Sequence, residues 1–165
     1  MLLKLTCKDA VTAIANKLIE NKWKLAVAES CTGGMIGTMI TNTPGSSRWF
    51  QGGVIAYQNE IKQSLLKVSG ADLKKSGAVS RKTVLAMSKG ACQLFSAECS
   101  IAVSGIAGPS GGSKEKPVGL VYIGVSILNT SESFKHIFSG NRNDIREQAA
   151  LKSLFHLHDL LPHNC

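Results

Sequence analysis

The sequence has no apolar run approaching the ~20 residues that a membrane-spanning helix requires. Its opening segment, MLLKLTCKD, turns polar too soon to read as a secretory signal. Both absences predict a cytoplasmic protein with no membrane partner. Aromatic residues make up only 5% of the chain, whereas a platform for single-stranded nucleic acid needs interleaved aromatics on which bases stack. There is no C-x-x-C pair. The five cysteines (Cys7, Cys31, Cys92, Cys99 and Cys165) are odd in number and irregular in spacing, which favours reduced thiols over a disulfide framework. Histidine is scarce as well: His136, His156, His158 and His163 are the full set. His156 and His158 stand two apart in a helical stretch and so face different directions. A zinc site wants three or four converging ligands, so no metal is expected, and no other cofactor.

What remains is the composition of a folded enzyme-sized unit. The 165 residues are 44% hydrophobic and 18% charged, which argues against disorder and suits one domain over residues 1–165 with a real core. Nineteen basic against eleven acidic residues give a net charge of +8, which suits an anionic partner. The basic residues are scattered, with only pairs such as Lys74-Lys75 and Arg81-Lys82 clustering. A small phosphorylated molecule is therefore expected ahead of nucleic acid, and a generally basic soluble surface explains the same charge. A homo-oligomer is also expected.

Along the chain, helical and strand patterns alternate. Thr6 and Asp9 have capping-box spacing, and Val11, Ile14, Ala15 and Leu18 follow at helical intervals. Residues 25–28 read as a buried strand, 33–40 as a helix, TPGSS as a turn, and 53–57 as a second strand. Asn59 is placed to cap a short helix carrying Lys62, Leu65 and Leu66, and Ser80 to cap one with Val84, Met87, Ala91, Leu94 and Phe95 on one face. Residues 100–106 form a buried strand, 118–128 and 133–138 two more, and a last helix from about Asp144 buries Ala150, Leu154, Leu157 and Leu161. This alternation predicts an α/β fold with helices on both faces of one central sheet, and the final hairpin makes the sheet mixed.

The chemistry concentrates at AESCTGG, residues 28–34, where a strand hands over to a helix. Strand ends are where ligands bind in α/β sheets. Gly33 and Gly34 permit a sharp turn, and amides at a helix start favour negative charge. Ser30 or Cys31 would then sit where an oxyanion is held; equally, Ser30 or Thr32 would serve only as a helix cap. A serine nucleophile needs a base, and no histidine lies near a strand end. Lys62, expected in the first turn of its helix, would be opposed by the helix dipole and held neutral by that field with partial burial; the alternative is an ordinary surface lysine. Tyr57, at the preceding strand end, would orient Lys62 or relay a proton, or else form an aromatic rim. Arg146, expected in a first turn, and Arg142 just before it, would grip a phosphate or carboxylate, or mark a solvated helix end. The glycine-rich loop 104–113 exposes backbone amides, yet it is neither a P-loop nor a dinucleotide fingerprint.

In order, E-S-C-T-G-G, T-x-x-P-G-S-S, G-x-x-x-Y-x-N-E-x-K, G-A-V-S and S-G-I-A-G-P-x-G-G-S-x-E-K-P-V-G closely resemble the CinA C-terminal domain family, which includes stand-alone nicotinamide-nucleotide amidohydrolases. The similarity runs from about Lys8 to Leu161. It implies a three-layer α/β/α sandwich and metal-free hydrolysis of the carboxamide of nicotinamide mononucleotide in pyridine-nucleotide salvage. The family's nucleophilic serine matches Ser30, its catalytic lysine Lys62, its tyrosine Tyr57 and its last-helix arginine Arg146. Cys31, Thr32, Gly33, Gly34, Ser104, Gly105 and Arg142 complete the expected substrate site. Two positions depart from the family pattern: Ser104 replaces a threonine, and Asn141 replaces an aspartate. The other reading of the same residues is a catalytically silent sensing or assembly module that keeps the fold.

Overall fold

A computed structural model describes residues 6–162; His163 and Cys165, and residues 1–5 of the opening segment, lie outside that range. Helix α1 (Cys7–Asn21) opens on the expected capping box: the Asp9 amide donates to Thr6 Oγ1, and the Thr6 amide to the Asp9 carboxylate. Strand β1 (Leu25–Glu29), helix α2 (Met35–Thr41), a 3-10 turn (Ser46–Arg48) and strand β2 (Phe50–Ile55) follow. Next come three helices, α3 (Asn59–Ser64), α4 (Gly70–Ser76) and α5 (Arg81–Phe95). Strands β3 (Cys99–Gly105), β4 (Leu120–Ile127) and β5 (Thr130–Ile137) lead into the long helix α6 (Arg142–Leu160).

The five strands lie in the order β2-β1-β3-β4-β5. β1 pairs in parallel with β2 and β3, whereas β4 runs antiparallel to β3 and to β5. The sheet is therefore mixed, and with helices on both faces the fold is a three-layer α/β/α sandwich. Alternation along the strands sorts the two faces. Leu25, Val27, Ile101 and Val103 join α1, α2 and α6 in one core. Ala26, Ala28 and Ala102 point the other way, onto Met87 and Ala91 of α5 and Leu73 of α4. These alanines, with Gly124 on β4, let α5 lie close. A Cβ at Gly124 would stand 2.5 Å from the Val84 carbonyl oxygen. On α6, Ile145, Leu154 and Leu157 are fully buried, each side chain contributing about 1.5–3 kcal/mol relative to exposure.

Several boundaries differ from the sequence reading. β2 begins at Phe50 and ends at Ile55, so Tyr57 lies in the connection beyond it. Helix α2 begins at Met35 rather than Gly33, because Gly33 (φ +61°) and Gly34 (φ +101°) both occupy the left-handed region and cannot continue a helix. The cap of α3 is Gln58, one residue before Asn59, and no side chain bonds there. Helix α4 had no counterpart in the sequence reading. Leu94, expected on the core face of α5, is exposed in its last turn. The cap of α6 is Asn141, whose side chain accepts from the Asn143 and Asp144 amides while Asp144 completes a capping box. Arg142 is thus the residue in the first turn, and Arg146 lies one turn further on.

Candidate active site

The strand order reverses at β1: the chain leaves it for β2 on one side and later enters β3 on the other. In open α/β sheets the crevice beyond such a switch point is where ligands bind. Here Ser30 follows the end of β1, and Ser104 and Gly105 end β3. A cavity of about 190 Å³ opens at this point. It gathers Ser30, Cys31, Tyr57, Lys62, Ser104, Gly105 and Arg142 in one lining. Ala78, Val79 and Ala107, for which the sequence reading had no role, form its apolar wall.

Lys62 is the unusual member. Only 1% of the residue is exposed. Its Nζ lies 3.2 Å from Ser30 Oγ, 2.7 Å from the Ala56 carbonyl oxygen and 2.9 Å from that of Tyr57. Among the described residues no carboxylate forms an ion pair with it. Burial holds its amine below the ordinary 10.5, opposed by the neighbouring Cys31 and Glu60. A neutral amine has two N–H donors and one lone pair. Here Nζ donates to both carbonyls and to Ser30 Oγ; in the neutral form its lone pair is free to take the Ser30 proton. Among the described residues, Lys62 is the hydroxyl's one hydrogen-bond partner. The first-turn placement expected from the sequence does not hold: Lys62 falls in the last turn of the six-residue α3, where the helix dipole does not oppose a cation, and burial is what lowers the amine.

Cys31 adjoins Ser30, but the residue is only 6% exposed and burial, reinforced by Glu29, pushes its thiol pKa up to about 11. It is therefore a thiol at neutral pH, not the readily ionised nucleophile that a helix start suggested. Burial is the main reason, and Glu29, a residue the sequence reading quoted without a role, adds to it. Its buried carboxylate accepts from the amides of Gly34 (2.9 Å), Ile36 (3.2 Å) and Gly37 (2.9 Å). The amides expected to attract a substrate anion are taken by the protein's own carboxylate. The sequence signal was there: an acidic residue ending a buried strand, just before the first turn of a helix.

Arg146 does not line the cavity. Its Nε donates to the Cys31 carbonyl and its Nη2 to the Thr32 carbonyl, both at 3.0 Å. Thr32 is fully buried and its hydroxyl lacks a partner among the described residues. Arg142 stands at the rim, donating to the Gly108 carbonyl at 2.7 Å and lying 3.4 Å from the Tyr57 hydroxyl. Tyr57 is 55% exposed. Its ring and hydroxyl edge the opening, while its backbone carbonyl orients Lys62. The Ser104 hydroxyl faces the cavity with no hydrogen bond to another described residue. A larger, more open groove of about 620 Å³ between α1, α2 and α6 contains none of these residues. Among the described residues no group of three or more potential metal ligands converges, and no helix is long and apolar enough to cross a membrane.

Comparison with known proteins identifies the family and the fold. Residues 8–161 match the CinA C-terminal domain. A CinA-like protein of Endomicrobium trichonymphae is 47% identical over 147 residues, covering 88% of this chain and 34% of that protein. The CinA-like protein of Thermotoga neapolitana is 49% identical over 144 residues, 87% and 35% respectively. The chain thus spans about a third of the length of these relatives. Among solved structures, a competence-damaged protein (CinA) superfamily protein from Enterobacter cloacae superposes with a TM-score of 0.94 at 30% identity, covering 98% of this chain and 96% of that one. The competence/damage inducible protein CihA from Agrobacterium tumefaciens gives 0.90 at 35% identity, covering 97% and 99%. With its residues 8–161 matched and its fold shared at this level, the chain belongs to the CinA C-terminal domain family.

Proposed function

We propose that this protein is an amidase that hydrolyses the carboxamide of nicotinamide mononucleotide to the carboxylate and ammonia. The observation that carries the reading is the buried Lys62 amine, 3.2 Å from Ser30 Oγ and with no carboxylate partner among the described residues. A desolvated amine held among two carbonyls and one hydroxyl is the geometry of a serine–lysine pair.

In this mechanism Lys62 takes the Ser30 proton as Oγ attacks the carboxamide carbon. The Cys31 amide has no acceptor on another described residue, and with the Ser104 hydroxyl it donates to the oxyanion. Removing one such donor typically costs about 10²–10³ in rate. The Lys62 ammonium returns the proton to the departing nitrogen, the C–N bond breaks and ammonia leaves. Water, deprotonated by the same amine, then cleaves the acyl–serine ester and releases the carboxylic acid. Ala78, Val79 and Ala107 give the pyridine ring an apolar slot. The ribose and phosphate extend past Tyr57 toward Arg142, the guanidinium on the rim. Loss of the threonine methyl at position 104 leaves the hydroxyl that the mechanism uses.

Ammonia release from nicotinamide mononucleotide, measured beside nicotinamide riboside and free nicotinamide, tests the reading. Turnover that is fastest with the mononucleotide supports it. Equal turnover of the riboside removes the phosphate contact, and no release from any of the three returns the chain to a silent module.

A further inference from the structure

The turn carrying Ser30 is gripped from two sides by residues that do not enter the cavity. On one side Glu29 holds the amides of Gly34, Ile36 and Gly37. On the other, Arg146 reaches from α6 to the carbonyls of Cys31 and Thr32. The Ser30 carbonyl accepts from the Gly33 amide at 3.2 Å, and the Ser30 amide donates to Val103 at 3.1 Å. A trans peptide points its N–H opposite to its C=O. Fixing the carbonyls of Ser30, Cys31 and Thr32 therefore fixes three successive peptide planes and the direction of the amides they carry. After these bonds are made, the amides of Cys31 and Thr32 have no acceptor on another described residue. Gly33 is packed into the same brace: a Cβ there would stand 3.2 Å from Arg146 Nη2.

We propose that Glu29 and Arg146 are positioning residues of the nucleophile turn, holding Ser30 Oγ against Lys62 and the Cys31 amide toward the reacting carbonyl, and that Arg146 does not bind the substrate's phosphate. This rests on the amidase reading and changes the role of its last-helix arginine. Arg146 commits Nε and Nη2 to main-chain carbonyls and does not line the cavity in which the substrate would sit. A displaced oxyanion donor costs catalysis of both phosphorylated and dephosphorylated substrates alike, whereas a lost phosphate contact costs only the former.

The experiment compares wild type, Arg146→Lys, Arg146→Met and Glu29→Gln with nicotinamide mononucleotide and nicotinamide riboside, circular dichroism melts confirming which variants fold. Lysine keeps the positive charge but offers no two-point fork, so Arg146→Lys should lose about as much as Arg146→Met. The expected result is a fall in kcat of about 10²-fold with KM changed less than about 3-fold, and an unchanged ratio of kcat/KM between the two substrates. A KM that rises about 10-fold or more for the mononucleotide alone, largely restored in Arg146→Lys, overturns the proposal. So does wild-type kcat in the folded variants. Labelling of Ser30 by a fluorophosphonate probe separates this outcome from failure of the amidase reading. If wild type releases no ammonia from either substrate, the amidase reading falls, and slower labelling of the folded variants still supports the brace. Labelling at the wild-type rate sinks it.

Discussion

At the scale of single residues, function depends on which of two neighbours is the nucleophile. The Lys62 amine lies 3.2 Å from Ser30 Oγ, whereas the Cys31 thiol is buried and held up at about 11. Ser30→Ala is expected to lower ammonia release by about 10³-fold or more, and Cys31→Ala to leave it within a few-fold. Full turnover in Ser30→Ala would remove the assignment. The pH dependence follows from Lys62. The amine works only when uncharged, and burial puts its pKa below 10.5. The rate with nicotinamide mononucleotide should therefore rise with pH and level off before that value. A rate that is flat between about pH 6 and 9 counts against a titrating lysine. The sequence pointed to Lys62 through an expected place in the first turn of its helix, but the structure puts it in the last turn of α3. The reason it matters is its burial beside Ser30 and the Ala56 and Tyr57 carbonyls, which is not a local property.

At the scale of elements, α6 delivers both arginines. Its cap is Asn141, the position where the family resemblance has aspartate. Asparagine and aspartate cap helices about equally, and alanine costs about 1 kcal/mol. Asn141→Asp should therefore keep both stability and turnover, while Asn141→Ala should lower the melting temperature by about 2–4 °C in thermal denaturation. The turn between β1 and α2 is the second critical element. Gly33→Ala would force a side chain into the left-handed region at φ +61° and toward Arg146. The strain is of the order of 1–3 kcal/mol. Turnover should fall further than the melting temperature accounts for, because the displaced group is the one that sets the turn. The double glycine was legible in the sequence as a sharp turn. The side chains that hold it come from β1 and from a helix more than a hundred residues later, so their meeting was not.

At the scale of the whole molecule, β5 is fastened to α6 by a pair of histidines. The Nε2 atoms of His136 and His156 are 2.7 Å apart, and His156 stacks on Phe134 at a centroid distance of 3.7 Å. Burial is the first cause that lowers both, with Lys152 nearby, and mutual repulsion adds to it at His156, which falls to about 4 from 6.5. The unfolded chain then binds more protons than the folded one between those values. Stability is full above about pH 6.5 and declines as pH falls toward 4. Melting temperatures between pH 7 and 4.5 should show this loss. The double variant His136→Gln, His156→Gln should lose less across the same interval, and an identical loss would place the acid sensitivity elsewhere.

The sequence by itself determined the class of fold, because alternating 3.6- and 2-residue periodicity and cap residues such as Thr6 and Ser80 are local signals. It also placed the turn carrying Ser30, because two adjacent glycines after a buried strand leave few other conformations, and its ordered motifs pointed to the family that the comparisons show. Only the tertiary structure decided the strand order, and with it the meeting of Ser30, Ser104 and Lys62 at one switch point. It also decided the fate of the charges: Glu29 fills the amide end that was expected to await an anion, and Arg146 grips backbone rather than opening onto the cavity. Charge chemistry depends on burial and on partners distant in sequence, and those are fixed only when the layers pack.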